Sequence, residues 1–113
     1  FPALNYGKGY DNCFMINDYE AGQLQTAAQL YSSASGRQLE VLTTQPAVQI
    51  YTGNWLEGCP AGKCGRGYHD YEGVAIECQH CPDSPNKPEF PTTVLRPGET
   101  FSEAIIWAFS VRK

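Results

Sequence analysis

Short runs of alternating apolar and polar residues, separated by turn-forming residues, dominate this chain. Gly, Pro, Asn and Asp interrupt the sequence roughly every ten residues, a rhythm typical of an all-β sandwich. The alternation predicts six strands, at residues 12–18, 24–32, 37–44, 47–53, 73–79 and 100–112. We therefore expect an all-β fold.

The last of these strands has the clearest alternation. Its large apolar residues recur with a period of two and share one face: Phe101, Ile105, Trp107, Phe109 and Val111. Small residues lie opposite them. Residues 20–31 are also compatible with a helix, and the pattern leaves this choice open. Between the strands we predict a tight turn at 33–37 and a long exposed loop at 59–67.

A carboxylate, Glu77, lies within the predicted strand at 73–79, GVAIECQ, which otherwise alternates like a buried strand. Alternation places Glu77 on the face opposite Ile76, and it places Gln49 opposite the apolar residues of strand 47–53 in the same way. A polar face of this kind is either a binding pocket or a solvated sheet surface. Directly after Glu77 and its strand, a rigid Pro-Asp turn at 82–83 ends the strand at a defined point.

Length and charge limit the class of protein. The chain has 113 residues, enough for one small domain with a core but not for two. Eight Lys and Arg against 12 Asp and Glu give a net charge of −4, and no basic cluster occurs, so we do not expect nucleic acid as a partner. The longest apolar run, AIIWAF at 104–109, is far too short to span a bilayer, and the first residues lack the order of a signal peptide. We expect no membrane partner.

The five cysteines, Cys13, Cys59, Cys64, Cys78 and Cys81, are an odd number. An odd number, with no N-x-Ser/Thr sequon, favours a reducing, cytoplasmic setting. Cys78 and Cys81 have C-x-x-C spacing, but a structural zinc site needs a second matching pair, and Cys59 and Cys64 do not form one. A redox C-x-x-C motif opens a helix, whereas this one closes a predicted strand. We predict that Cys78 and Cys81 are unbridged and bind no metal.

Several long strings occur in an order that resembles a known family. They are GYDNCFMI at 9–16, TTQPAVQIYTGN at 43–54, ECQHCPDSPN at 77–86 and FPTTVLRPGE at 90–99. Together they resemble the C-terminal part of the aldose 1-epimerases, the galactose mutarotase family, over nearly the whole chain. The resemblance implies that the chain is part of a large antiparallel β-sandwich, the galactose mutarotase-like supersandwich.

The resemblance also implies roles for three residues. Glu77, in ECQ, matches the family's catalytic base, Asp11 matches its substrate-binding aspartate, and Gln49 matches the glutamine that contacts the sugar. The chain departs from the family at Asn12, where a histidine is common, and at Cys78, where threonine is common. Neither departure changes a group that the family uses in chemistry.

A larger departure concerns the acid of the reaction. The family's general-acid histidine, a second pocket histidine and a substrate-binding arginine lie in an N-terminal region that this sequence does not contain. The two histidines present, His69 and His80, match neither motif, and we expect them to be surface or turn residues. We therefore expect residues 1–113 to be the C-terminal portion of one sandwich domain, to need an N-terminal segment or chain as partner, and to be inactive alone.

The family's reaction is the interconversion of the α and β anomers of a free aldohexose such as glucose or galactose. One group removes the proton of the C1 hydroxyl while another protonates the ring oxygen, and these roles reverse on closure. This chemistry needs no metal or organic cofactor. The alternative is a carbohydrate-binding or regulatory protein that keeps the same fold without turnover, since a fold does not prove catalysis.

Overall fold

The computed structural model describes residues 2–112, and nearly all of its regular structure is β-strand. The six strands lie close to the predicted ones: β1 Asp11–Met15, β2 Gln25–Tyr31, β3 Arg37–Thr43, β4 Ala47–Tyr51, β5 Ala75–Gln79 and β6 Ile105–Val111. A short helix, α1 Ala3–Gly7, and a 3-10 turn, Ser84–Asn86, were not predicted. The all-β class is confirmed. No helix among the described residues has the length and hydrophobicity needed to cross a membrane.

The strands form two three-stranded sheets. One has the order β1-β4-β5, with β4 in the centre, and the other has the order β2-β3-β6, with β3 in the centre. By its contacts the chain divides into two compact units. The first consists of the segment that ends at Asn12 together with Gln49–Glu77, and the second consists of Cys13–Val48 and the chain from Cys78 onward.

Residues 20–31 are not helical, because β2 pairs antiparallel with β3 from Gln25↔Thr43 to Tyr31↔Gln38. The carboxylate of Glu40 on β3 accepts hydrogen bonds from Thr26 Oγ1 and Gln29 Nε2 on β2, both at 3.0 Å. These cross-strand bonds satisfy the polar side chains of β2 on one face. Tertiary pairing therefore decides between the two local conformations that the sequence allows.

The predicted turn at 33–37 joins β2 to β3. Ser32 N donates to Arg37 O at 2.9 Å, and Gly36 N donates to Ser32 O at 2.8 Å. Gly36 has a φ of 70°, and a Cβ at this position would lie only 2.5 Å from the carbonyl oxygen of Arg112. Both the positive φ and the close approach require glycine here.

The last strand is shorter than predicted, because β6 begins at Ile105 rather than at residue 100. Just before it, the backbone N–H of Ala104 donates to the hydroxyl of Thr44 at 2.9 Å instead of to a carbonyl of a neighbouring strand. The carbonyl of Ala104 accepts from Thr44 N and from Thr43 Oγ1, each at 3.1 Å. These side-chain bonds replace the regular ladder and end it at this point.

The long loop between β4 and β5 is held by polar contacts. Arg66 makes a two-pronged ion pair with Glu72, with Nη1 2.8 Å from Oε2 and Nη2 3.2 Å from Oε1. The hydrogen bonds from Arg66 lower the pKa of the Glu72 carboxyl and raise that of the guanidinium. The side chain of Asp70 accepts from Glu57 N at 2.9 Å and so ties the two ends of the loop together.

Few apolar side chains are buried, and a large apolar face is open. The buried apolar side chains among those that the structure describes include Val41, Pro46, Ala47, Val48, Ile76 and Cys81. In contrast, the apolar residues of β6 are exposed, and Phe109 reaches 75 % exposure. Trp107 and Phe109 lie on the face of the sheet that carries Val41, since Trp107 pairs with Val41 and Phe109 with Leu39. An open face of this kind promotes association.

We predict that residues 1–113 expressed alone self-associate through this face. Replacing Trp107 and Phe109 together with threonine should shift the chain toward monomer, because it removes exposed aromatic area. Sedimentation velocity measures the change. As a control, Val41→Ala should lower the free energy of unfolding by about 1–3 kcal/mol and leave self-association unchanged, since Val41 is fully buried. A wild-type chain that sediments as a monomer and unfolds cooperatively would contradict the prediction.

Candidate active site

Two of the three predicted site residues are in direct contact. Gln49, half-buried on β4, donates a hydrogen bond from Nε2 to Oδ1 of Asp11 at 2.8 Å. Asp11 is exposed and is the first residue of β1. The two strands are antiparallel neighbours, since Thr52 N donates to Tyr10 O at 3.1 Å at one end of the pair and Ile16 N donates to Pro46 O at 3.0 Å at the other. An amide that donates to a carboxylate forms a charge-assisted bond, which orients both side chains.

The third predicted residue, Glu77, lies at the middle of β5 and is exposed. Its neighbour Ile76 is buried, and on β4 the residue beside Gln49, Val48, is buried in the same way. Alternation along each strand places Glu77 and Gln49 on the face opposite Ile76 and Val48, which we call the outer face. This arrangement agrees with the parity expected from the sequence.

Contacts at the two ends of β4 and β5 show which residues face each other. At one end Gly53 lies against Gly73, such that a Cβ on Gly53 would be 2.6 Å from the Gly73 carbonyl oxygen. At the other end His80 Nδ1 is 2.9 Å from Gln45 Oε1. The two strands are therefore antiparallel, and Gln49 faces the middle of β5. Carboxylates and an amide on three adjacent strands thus share one outer face.

The chain that leads into Asp11 is held by two side chains that the sequence analysis missed. The amide of Asn54, which has no exposed surface, donates from Nδ2 to the carbonyl of Tyr10 at 2.9 Å. The hydroxyl of Thr52 accepts from Tyr10 N at 2.9 Å and lies 2.6 Å from Asn54 Oδ1, to which it donates. We call this set of bonds from Thr52 and Asn54 to the Tyr10 backbone the Tyr10 clamp. The string YTGN at 51–54 contains both residues, but nothing local in it indicates a partner 44 positions away.

The two histidines make structural contacts. The ring of His80 is bonded to Gln45, which is buried, as described above. His69 is exposed, and its backbone N–H donates to Glu72 Oε2 at 3.1 Å. Neither contact involves Asp11 or Gln49.

Comparison with known proteins identifies the family. The family model for aldose 1-epimerase matches residues 2–107. The chain belongs to the aldose 1-epimerase family. It is 44 % identical over 103 residues to a galactose mutarotase of Rattus norvegicus, an alignment that covers 91 % of this chain and 30 % of the rat protein. It is 41 % identical over 104 residues to an aldose 1-epimerase of Escherichia coli (strain K12), covering 90 % of this chain and 30 % of that protein.

The chain spans about 30 % of the length of the aldose 1-epimerase relatives it matches. All three predicted site residues lie inside the matched range, 2–107. The Tyr10 clamp lies inside this range as well. The family assignment therefore covers the whole outer face described above.

Sulfur atoms cluster around Cys81. The thiol of Cys81 is 3.0 Å from the sulfur of Met15, and Cys81 also contacts Cys13. Burial, together with the neighbouring Cys81, raises the pKa of the Cys13 thiol to about 11. Burial also raises the pKa of Cys78. All five cysteines are free thiols, and the described part of the chain has no group of three His, Cys, Asp or Glu side chains arranged to hold a metal ion.

We predict that the cysteines react with iodoacetamide in a fixed order at pH 8. Exposed Cys59 and Cys64 should react first. A rise of the Cys13 pKa from 9.0 to about 11 reduces its thiolate about a hundredfold at this pH, so Cys13 should react far more slowly, and its rate should keep rising with pH up to about 11. Peptide mass spectrometry measures the order. Equal labelling of Cys13 and Cys59 at pH 8 would contradict the burial described here, while a stoichiometric metal would contradict the prediction for Cys78 and Cys81.

Proposed function

We propose that this chain is the C-terminal portion of an aldose 1-epimerase that interconverts the α and β anomers of free aldohexoses. The observation that carries the proposal is the hydrogen bond between Gln49 and Asp11, at 2.8 Å, on the outer face to which alternation also directs Glu77. These three residues are the ones that match the family's base and sugar-binding positions. Glucose and galactose are the expected substrates, because several relatives are galactose mutarotases.

In the proposed reaction Glu77 removes the proton of the C1 hydroxyl. As this oxygen becomes a carbonyl, the bond between C1 and the ring oxygen breaks, and a general acid delivers a proton to the ring oxygen. Rotation about the C1–C2 bond exposes the other carbonyl face. The ring oxygen then attacks C1, the acid takes its proton back, and Glu77 returns a proton to the new C1 hydroxyl. No net proton is consumed, and no oxidant or cofactor takes part.

Asp11 and Gln49 have complementary hydrogen-bonding capacity for a sugar. A carboxylate accepts several hydrogen bonds, so Asp11 can accept from sugar hydroxyls while it holds the Gln49 amide. The Gln49 amide has a second N–H and a carbonyl oxygen to offer to the sugar. A pair of this kind would bind a diol edge and keep C1 within reach of Glu77, and this positioning would contribute to the rate.

The general acid is expected from the N-terminal portion of the protein, as are a second histidine and an arginine. The exposed face of β6 and the small core support the proposal that such a portion covers this chain. We refer to the chain together with this N-terminal portion as the assembled protein, and we propose a reducing, cytoplasmic location for it.

We predict that Glu77→Gln in the assembled protein lowers turnover about 10²–10⁴-fold, the usual contribution of general acid–base catalysis. Glutamine keeps the size and polarity of the side chain but is not basic, so aldohexose binding should persist. Polarimetry of freshly dissolved α-glucose or α-galactose, corrected for the spontaneous reaction, measures turnover. A Glu77→Gln variant as fast as wild type would show that Glu77 is not the base. A wild-type assembled protein that binds sugar without speeding the relaxation would instead support a binding or regulatory protein.

We predict a different result for Asp11→Asn. Asparagine cannot accept as many hydrogen bonds as the carboxylate and loses its charge, so sugar binding and rate should both weaken. KM and kcat from the same polarimetric assay separate the two effects. An unchanged KM would show that Asp11 does not bind the sugar. It would not affect the role proposed for Glu77.

A further inference from the structure

We propose that Thr52 and Asn54 are positioning residues for the sugar: through the Tyr10 clamp they fix the direction of the Asp11 carboxylate. The inference rests on the proposed role of Asp11 in binding. It adds two residues, neither of which is expected to touch the substrate. Their role follows from the contacts that they make with the backbone directly before Asp11.

The clamp holds both polar groups of the Tyr10 backbone. Its N–H donates to Thr52 Oγ1 at 2.9 Å, and its carbonyl accepts from Asn54 Nδ2 at 2.9 Å and from Thr52 N at 3.1 Å. The carbonyl of Tyr10 belongs to the peptide that it shares with Asp11. Fixing this peptide therefore fixes the backbone from which the Asp11 side chain begins.

The backbone determines the location of the charged group more closely for Asp11 than for a residue with a long side chain. An aspartate has two side-chain torsions, so the location of its carboxylate follows closely from its Cα and Cβ. Asp11 is also the first residue of β1 and is exposed, which leaves it at the end of the regular ladder. The Tyr10 clamp holds the chain at the point where strand pairing begins.

Close packing in front of the clamp indicates that its geometry is tightly constrained. A Cβ on Gly9 would overlap Oδ1 of Asn54 and would lie 2.6 Å from Oγ1 of Thr52. Asn54 is fully buried. Because buried polar groups are costly when unpaired, each member of this network needs the others. Loss of the Thr52 hydroxyl should therefore shift the Tyr10 backbone and, through it, the side chain of Asp11.

A matched pair of variants of the assembled protein tests the proposal. Thr52→Val has nearly the same shape but lacks the hydroxyl, whereas Thr52→Ser keeps the hydroxyl. Thr52→Val should raise KM for aldohexose about tenfold with a smaller change in kcat, and Thr52→Ser should restore KM to within about twofold of wild type. Asn54→Ala should act in the same direction as Thr52→Val.

A double-mutant cycle separates positioning from general stabilisation. If the clamp acts through Asp11, Thr52→Val should have little further effect on kcat/KM in an Asp11→Asn background. If the clamp only stabilises the fold, the two effects should be additive, with a lower melting temperature and an unchanged KM in Thr52→Val. Additive effects, or no rescue of KM by Thr52→Ser, would overturn the proposal.

A further measurement does not depend on turnover. The Gln49 side-chain amide donates to Asp11, so its ¹⁵N–¹H resonances in selectively labelled protein report the direction of the Asp11 carboxylate. These resonances should shift in Thr52→Val and stay in place in Thr52→Ser. If wild-type assembled protein neither converts nor binds sugar, the proposed function is wrong. This measurement still tests whether the Tyr10 clamp fixes the direction of the Asp11 carboxylate. Unshifted Gln49 resonances in Thr52→Val would overturn it.

Discussion

The pairing of β1 with β4 is the interaction on which the candidate site depends. It brings Asp11 to Gln49, although 38 positions separate them in sequence, and their side chains join at 2.8 Å. The same pairing lets Thr52 and Asn54, just after β4, reach the backbone of Tyr10, just before β1. The backbone ladder, the bond between Gln49 and Asp11, and the Tyr10 clamp all depend on the same register. A shift in register would therefore break all three.

Buried polar side chains in the described part of the chain have hydrogen-bond partners, whereas much of the apolar surface stays exposed. In the described part of the chain no buried side-chain nitrogen or oxygen atom lacks a hydrogen-bond partner. The aromatic residues of β6, in contrast, remain exposed. Hydrogen bonds are directional and can be completed locally, whereas apolar burial needs a second surface. This difference is consistent with a chain that spans about 30 % of its relatives' length.

Sulfur atoms cluster around Cys81 and include the thiol of Cys13 on β1. Cys13 follows Asp11 by two positions on β1, and burial beside Cys81 keeps its thiol protonated far above neutral pH. A protonated thiol is a poor nucleophile and packs as a small apolar group, so Cys13 is expected to be unreactive near neutral pH.

The sequence by itself determined most strands, the turn at Gly36 and the outward parity of Glu77, because alternation and turn preference are local properties. Resemblance in sequence indicated the family, and from it come the roles that we propose for the site residues. Tertiary structure decided what depends on distant partners. It made residues 25–31 a strand, because β3 pairs with them, and it shortened β6, because Thr44 takes the Ala104 N–H. It also joined Asn54 to Tyr10, since register between strands is set by the whole fold and cannot be derived from either segment alone.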